Sequence, residues 1–89
     1  MKHHSHPAFW KHYDQLLPEV QHAADKKYAL LETNPKHPSL NLKRIGRYWS
    51  VRVNIDHRAL AIEADDGYIW FWIGGHVEYD RIVDAQKKK

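Results

Sequence analysis

The feature that most restricts this chain is residues 68–73, where every position is β-branched or aromatic. Such side chains favour extended backbone, and a strand without polar alternation is typically buried on both faces. We therefore predict a central strand that is covered on both sides. Asp66 and Gly67 precede it, and this pair predicts a type I′ hairpin turn that joins it to a strand over residues 58–64.

Period-two alternation predicts another strand upstream. One face carries Trp49, Val51, Val53 and Ile55, and the other carries Tyr48, Ser50, Arg52 and Asn54. Gly46 and Arg47 indicate a tight turn before this strand, and Leu40 and Leu42 indicate the start of a further one. Within the central strand, alternation places Tyr68, Trp70 and Trp72 on one face. We expect these three to be core beneath a helix rather than a platform for stacking bases.

Helices are predicted on either side of the strands. Spacings of three and four residues predict a first helix from Ala8 with an apolar face of Phe9, Trp10, Tyr13, Leu16 and Leu17. Pro18 ends that helix and begins a second, which stops before Pro35 and whose buried stripe is Val20, Ala24, Tyr28 and Leu31. A last short helix follows Gly75, with apolar positions at Val77, Tyr79, Ile82 and Val83. Two helices, three or four antiparallel strands and a terminal helix predict an α+β fold.

The length of 89 residues suits a single domain over positions 1–89, and 43% hydrophobic residues are enough for a core. We expect a frayed His-rich segment at residues 1–7 and a flexible basic segment at residues 85–89. Cysteine is absent, no apolar run is long enough to span a bilayer, and the first residues lack the apolar core of a signal peptide. These features predict a cytoplasmic protein with no membrane association.

Charge is unevenly distributed along the chain. Residues 34–60 hold six basic side chains and one carboxylate, Asp56, whereas residues 61–84 hold six carboxylates and one basic side chain, Arg81. A surface built from the first segment would attract phosphates, and its basic residues are Lys36, Lys43, Arg44, Arg47, Arg52 and Arg58. The alternative is an ordinary solvated face of the sheet.

Several of these residues have the chemistry of a phosphate site. Arg52 and Arg58 flank a turn at residues 54–57, and guanidinium groups suit phosphate oxygens. His76 follows the paired glycines and suits proton transfer, with Tyr79 nearby; alternatively, His76 caps the last helix and Tyr79 fills the core. No metal-site spacing, phosphate-binding glycine loop or hydrolase triad is present, so we expect no metal and no cofactor.

Segments spread over nearly the whole chain resemble toxins of the RelE/ParE superfamily. They are residues 34–40 (NPKHPSL), 48–53 (YWSVRV), 57–60 (HRAL) and 70–76 (WFWIGGH), followed by Tyr79 and Asp80. This resemblance implies a helical hairpin packed on a twisted antiparallel sheet. It also implies a plasmid-stabilisation type of toxin that a cognate antitoxin wraps and neutralises. Several such toxins enter the ribosomal A site and cut mRNA by 2′-hydroxyl attack, without metal.

The resemblance also implies roles for individual residues. Arg58 matches the arginine that many RelE-like nucleases place on the scissile phosphate, and Arg52 matches a basic strand position. Lys43 lies where relatives carry lysines, while His76 and Tyr79 lie near the relatives' proton-transfer residues. The basic segment described above also makes Lys36, Arg44 and Arg47 expected RNA contacts. Two other functions fit the same resemblance: a ParE-like toxin that poisons DNA gyrase, and an inactive relative that only binds a partner protein.

Overall fold

The computed structural model describes residues 2–87, with side chains through Ala85. Its elements in chain order are β1 (Lys2–Ser5), α1 (Pro7–Asp14), α2 (Pro18–Thr33), a 3₁₀ turn (Pro38–Leu40), β2 (Lys43–Ile45), β3 (Tyr48–Arg52), β4 (His57–Ala64), β5 (Gly67–Gly75) and α3 (His76–Lys87). The predicted α+β class is confirmed. No helix between residues 2 and 87 combines the length and apolarity needed to cross a membrane.

The five strands form one mixed sheet in the order β1-β5-β4-β3-β2. β2 through β5 are antiparallel, and β1 pairs in parallel with β5 from Lys2 opposite Gly67 to Ser5 opposite Trp70. A Cβ atom on Gly67 would lie 1.9 Å from the Lys2 carbonyl oxygen, so this close pairing requires glycine.

Two expectations about the chain ends need correction. The segment expected to be frayed contains β1, because its backbone groups form hydrogen bonds with the edge of β5. Backbone pairing of this kind does not require a periodic side-chain pattern, so the His-rich sequence did not predict it. The segment expected to be flexible, residues 85–89, begins inside α3, which continues through Lys87. Positions 1, 88 and 89 lie outside the described residues.

The boundaries of α2 follow the prolines, as predicted, whereas α1 ends at Asp14, so Leu16 and Leu17 lie outside the helix on whose apolar face they were predicted. Pro18 occupies the first turn of α2, where its missing N–H costs no hydrogen bond, and α2 ends at Thr33, two residues before Pro35. Leu40, predicted to begin a strand, instead lies in the 3₁₀ turn and is fully buried.

A β-bulge in β5 divides its aromatic residues between the two faces of the sheet. Trp72 lies opposite Leu60 and Trp70 lies opposite Ala61, so Phe71 is an extra residue in β5. Strict alternation therefore fails at this point. Tyr68 and Trp70 pack in the core beneath the helical hairpin, whereas Trp72 packs in a second core under α3, which corrects the prediction that all three share a face.

The hairpin between β4 and β5 was predicted correctly, but its turn type was not. Ala64 pairs with Gly67, so Asp65 and Asp66 are the central turn residues. Among residues 2–87, Asn41 is the one non-glycine residue with positive φ, so neither aspartate has the backbone that a type I′ turn requires.

The second core contains a buried polar pair as well as apolar side chains. Its buried members are Leu60, Trp72, Tyr79 and Val83. The Tyr79 hydroxyl lies 2.9 Å from the Ser50 hydroxyl, and Ser50 is only 1% exposed. Each hydroxyl therefore satisfies the other in a region closed to water.

We predict that Tyr79→Phe lowers the free energy of unfolding by about 1–3 kcal/mol, since it leaves the buried Ser50 hydroxyl without a partner. Adding Ser50→Ala should recover part of this loss, because the second unsatisfied group is then removed as well. Urea unfolding of the two single variants and the double variant measures the coupling. Strictly additive losses would contradict the hydrogen bond.

We also predict a pH dependence of stability from His3 in β1. The Trp70 indole N–H donates to Nδ1 of His3 (3.1 Å), and burial lowers the pKa of His3 from its usual 6.5. Because the unfolded chain then binds the proton more readily, His3 contributes stability above about pH 6.5 that is lost as the pH falls below it. His3→Gln keeps an acceptor that does not titrate, so its unfolding free energy should fall less between pH 7 and 5. Equal slopes for both proteins would contradict the prediction.

Candidate phosphate-binding site

The structure brings Arg52 and Arg58 side by side at one end of the sheet. Arg52 ends β3, Arg58 is the second residue of β4, and the two are directly opposite in the strand register. Cross-strand partners project to the same face. This face also carries Ser50 and Leu60 of the second core, so both arginines lie on the α3 side of the sheet.

The Arg58 guanidinium is held by the loop that precedes its own strand. Nη1 donates to the carbonyl oxygens of Asn54 at 2.7 Å and His57 at 2.9 Å. Within residues 2–87, the hydrogen bonds of this side chain all use Nη1, so Nε and Nη2 remain available. These are the donors of one planar edge, which suits a two-point contact with an anion.

Arg52 is exposed and makes no hydrogen bond or ion pair within the described part of the chain. The three ion pairs found between residues 2 and 87 involve neither Arg52 nor Arg58. Like charges directly opposite each other destabilise a sheet, and an anion bound between them would remove that repulsion. The local charge balance therefore favours an anionic ligand.

Two further predicted residues lie on the same side of the sheet. Lys43 is exposed and pairs with Ser50, two positions along β3 from Arg52, so its side chain is on the α3 face. His76 is the first residue of α3, and its Nε2 lies 3.1 Å from the Asp80 carboxylate, with about half of each side chain exposed. Both side chains are exposed to solvent.

Tyr79 is buried in the second core, which lies between this face of the sheet and α3. It is 8% exposed, and its hydroxyl pairs with Ser50 inside the second core. The side chain therefore joins α3 to β3, and its hydroxyl does not open onto the surface beside the arginines.

The other predicted RNA-binding residues lie elsewhere. Arg44 pairs with Trp49 in the strand register, which places it on the hairpin side, where it approaches Glu63 at 4.0 Å. Arg47 precedes β3 and is about 16 Å along the strand from Arg52. Lys36 is exposed in the loop between α2 and the 3₁₀ turn. None of the three joins the arginine pair.

Sequence reasoning overlooked Asn54 and His57, which organise this end of the sheet. Asn54 Oδ1 accepts the backbone N–H of Asp56 at 2.9 Å and lies 3.0 Å from His57 Nδ1. An asparagine side chain that accepts the backbone N–H two residues later forms an Asx turn. The asparagine at the start of the predicted turn was the sequence signal for this contact. The loop also contacts α3, since the His76 N–H donates to the Asp56 carbonyl at 2.8 Å.

At this end of the sheet, the α3 face combines two guanidinium groups that form no ion pair within residues 2–87, a lysine and the imidazole of His76. Guanidinium groups can bind a phosphodiester and stabilise charge that develops on it, while imidazoles can exchange protons near neutral pH. Among residues 2–87, no cluster of three or more histidine or carboxylate side chains is arranged to hold a metal ion.

No protein-family model and no curated protein matches the sequence. Solved structures do match the fold. A YoeB/ParE toxin from Agrobacterium tumefaciens is 15% identical with a TM-score of 0.66, covering 85% of this chain and 99% of its own. YafQ from Escherichia coli is 15% identical with a TM-score of 0.67, covering 88% and 96%. The YoeB-YefM toxin-antitoxin complex from Staphylococcus aureus gives 17% and 0.54, covering 85% and 97%. This chain therefore has the fold of the RelE/ParE toxins.

Proposed function

We propose that this protein is the toxin of a type II toxin-antitoxin system and cleaves ribosome-bound mRNA in the cytoplasm. One observation carries the proposal. Arg52 and Arg58 lie directly opposite each other, and neither forms an ion pair with a carboxylate within residues 2–87. A phosphodiester supplies the negative charge that this pair lacks. The toxin structures that share the fold support the first part of the proposal.

The chemistry needs no cofactor. The ribose 2′-oxygen attacks the adjacent phosphorus, the O2′–P bond forms and the P–O5′ bond breaks, which leaves a 2′,3′-cyclic phosphate and a 5′-hydroxyl. Arg52 and Arg58 neutralise the pentacoordinate phosphorane, and Lys43 adds positive charge beside them. One group must take the 2′ proton and another must protonate the 5′ oxygen, and His76 is the exposed candidate for one of these tasks.

A cognate antitoxin is part of the proposal, as the YoeB-YefM complex suggests. The helical hairpin offers a surface for it. A cavity of about 340 Å³ lies between the hairpin and the sheet, and its lining includes Trp10 and Tyr28, which are 49% and 44% exposed. Exposed aromatic side chains around an apolar recess are typical of protein docking sites. This surface lies on the other side of the sheet from the arginine pair.

We predict that expression of the chain without an antitoxin arrests growth and cuts translated transcripts at codon-phased positions. Arg52→Ala should lower the cleavage rate by roughly 10²–10³-fold, since it removes one donor that stabilises the transition state. Arg58→Lys should also lose activity, because an ammonium cannot reproduce the planar donor edge. Mapping of transcript 5′ ends after induction measures both effects.

Lys26→Ala is the matched control, since it removes an exposed positive charge from α2, away from the arginine pair. It should leave cleavage unchanged. Growth arrest with intact transcripts and gyrase-linked DNA breaks would instead favour a ParE-like toxin. Normal growth with intact transcripts would favour a protein-binding module without toxicity.

A further inference from the structure

One end of the α3 face of the sheet carries a row of large apolar side chains, none of which is buried. In the strand register Ile45 pairs with Tyr48, Tyr48 with Ile62, and Ile62 with Ile69, so the row crosses four strands. Ile45 and Tyr48 pack against the edge of the second core, which places the row on the α3 side. Ile62 is 39% exposed. A contiguous apolar patch of this kind is typical of a binding surface.

The bulge in β5 adds an aromatic ring to this row. Phe71 is the extra residue of the bulge, and it packs against the second core together with its neighbour Trp72. Trp72 is buried there, whereas Phe71 stays half-buried, and its ring centroid lies 5.3 Å from that of Tyr48 with the two planes inclined at 53°. Bulges often redirect side chains next to functional sites. Tyr48 and Phe71 thus form a partly exposed aromatic pair.

The aromatic pair lies on the same face of the sheet as the candidate phosphate site. Tyr48 and Arg52 are the two ends of β3, about 13 Å apart along the strand. Lys43 pairs with Ser50, which is midway between them. Three features therefore follow one another along this face: the aromatic pair, the lysine and the two arginines.

The charge of this face complements a polyanion. From β2 to β5, the described strand residues on the α3 side include no carboxylate and three cations, which are Lys43, Arg52 and Arg58. Glu63 pairs with Tyr68 of the first core and so lies on the hairpin side. The helix α3, which packs on part of this face, contributes the exposed carboxylates Glu78, Asp80 and Asp84. The strand surface itself remains positive, which favours a nucleic acid over an apolar protein segment as its occupant.

An unpaired RNA strand has the matching combination of charge and rings. Sites that bind single strands combine cationic side chains, which follow the backbone, with aromatic side chains on which bases stack. In a duplex the base faces are covered by neighbouring bases and cannot contact a protein ring. Single-stranded nucleic acid therefore fits this face, with phosphates at the cations and a base on the aromatic pair.

We propose that Tyr48 and Phe71 stack one base of the mRNA and thereby position the scissile phosphate at Arg52 and Arg58, an inference that rests on the proposed function. The stacked nucleotide lies a few positions from the cut, and Lys43 contacts a phosphate between them. Every base has a face that can stack on an aromatic ring. The pair therefore determines where the strand lies on the sheet and adds little preference for its sequence.

The first test uses the unaltered protein and a short single-stranded RNA with 2′-O-methyl groups, which can bind but cannot be cut by 2′-hydroxyl attack. In NMR spectra, the ring protons of Tyr48 and Phe71 should shift upfield on RNA binding, because a stacked base shields them. Replacing one base at a time by an abasic residue should weaken binding at one position by roughly 5–150-fold, measured by fluorescence anisotropy. Shifts confined to the hairpin side, an equal loss at every position, or no binding would overturn the proposal.

A second test removes the ring from the protein. Tyr48→Leu keeps an apolar side chain against the second core, so it should weaken RNA binding about as much as the abasic residue does. The two changes should not add, because both remove the same contact. Tyr48→Phe should keep the affinity. Lys43→Gln should lower the salt dependence of binding by about 0.7 in log–log slope, whereas Tyr48→Leu should leave that slope unchanged.

Tyr13→Leu is the matched control, because it removes a half-buried ring from α1 on the hairpin side and should leave RNA binding unchanged. Additive losses for Tyr48→Leu and the abasic residue would show that the base stacks elsewhere. If Tyr48→Leu loses its amide dispersion and so fails to fold, the abasic scan on the unaltered protein decides.

Cleavage of mRNA on purified ribosomes separates this inference from the proposed function. If the wild type cuts and Tyr48→Leu cuts equally fast at limiting protein concentration, the aromatic pair plays no part while the proposed function stands. If RNA binds at the aromatic pair but no mRNA is cut, the proposed function and the positioning role both fail, and an RNA-binding site remains. Shifts of Tyr48 and Phe71 that follow protein concentration without RNA would show that a second copy covers the patch, against the proposal.

Discussion

The extra residue in β5 is the constraint on which the rest of the structure depends. A strand with large apolar side chains at six consecutive positions must cover both of its faces, and this sheet meets that need with different elements on each side. The bulge at Phe71 lets Trp70 pack under the helical hairpin while Trp72 packs under α3. Truncation of a buried tryptophan costs roughly 3–5 kcal/mol, so each face depends strongly on this division.

The same packing creates the candidate site. Trp72 occupies the space beside Gly74 and leaves no room there for a side chain, and α3 begins directly after Gly75. The loop between β3 and β4 then contacts the start of α3 through the Asp56 carbonyl and the His76 N–H. Arg52 and Arg58 are thereby held opposite each other on adjacent strand ends, and the loop carbonyl of Asn54 orients the Arg58 guanidinium.

The sequence predicted the positions of helices and strands better than it predicted the contacts between them. The period of the apolar residues and the positions of the prolines located both hairpin helices and the alternation in β3, because these signals are local. The strand β1 was missed because its pairing depends on the distant edge of β5, and the separation of Trp70 from Trp72 was missed because alternation cannot reveal a bulge.

At the site, Arg52 and Arg58 were placed together from the position of one turn. The burial of the Tyr79 hydroxyl depends on a contact between α3 and β3, which spacing does not encode. The role of Asn54 was missed although it is local, since its side chain bonds only two and three residues along the chain.

The central claim is that side chains of this protein promote attack of a ribose 2′-hydroxyl on the neighbouring phosphate. The chemical ends of the RNA fragments report on this step directly. Cleavage of a defined mRNA on ribosomes should leave 2′,3′-cyclic phosphate and 5′-hydroxyl ends, and a single 2′-deoxy nucleotide before the scissile phosphate should prevent the cut. Fragments with 5′-phosphate ends, or cleavage at the deoxy position, would contradict the account.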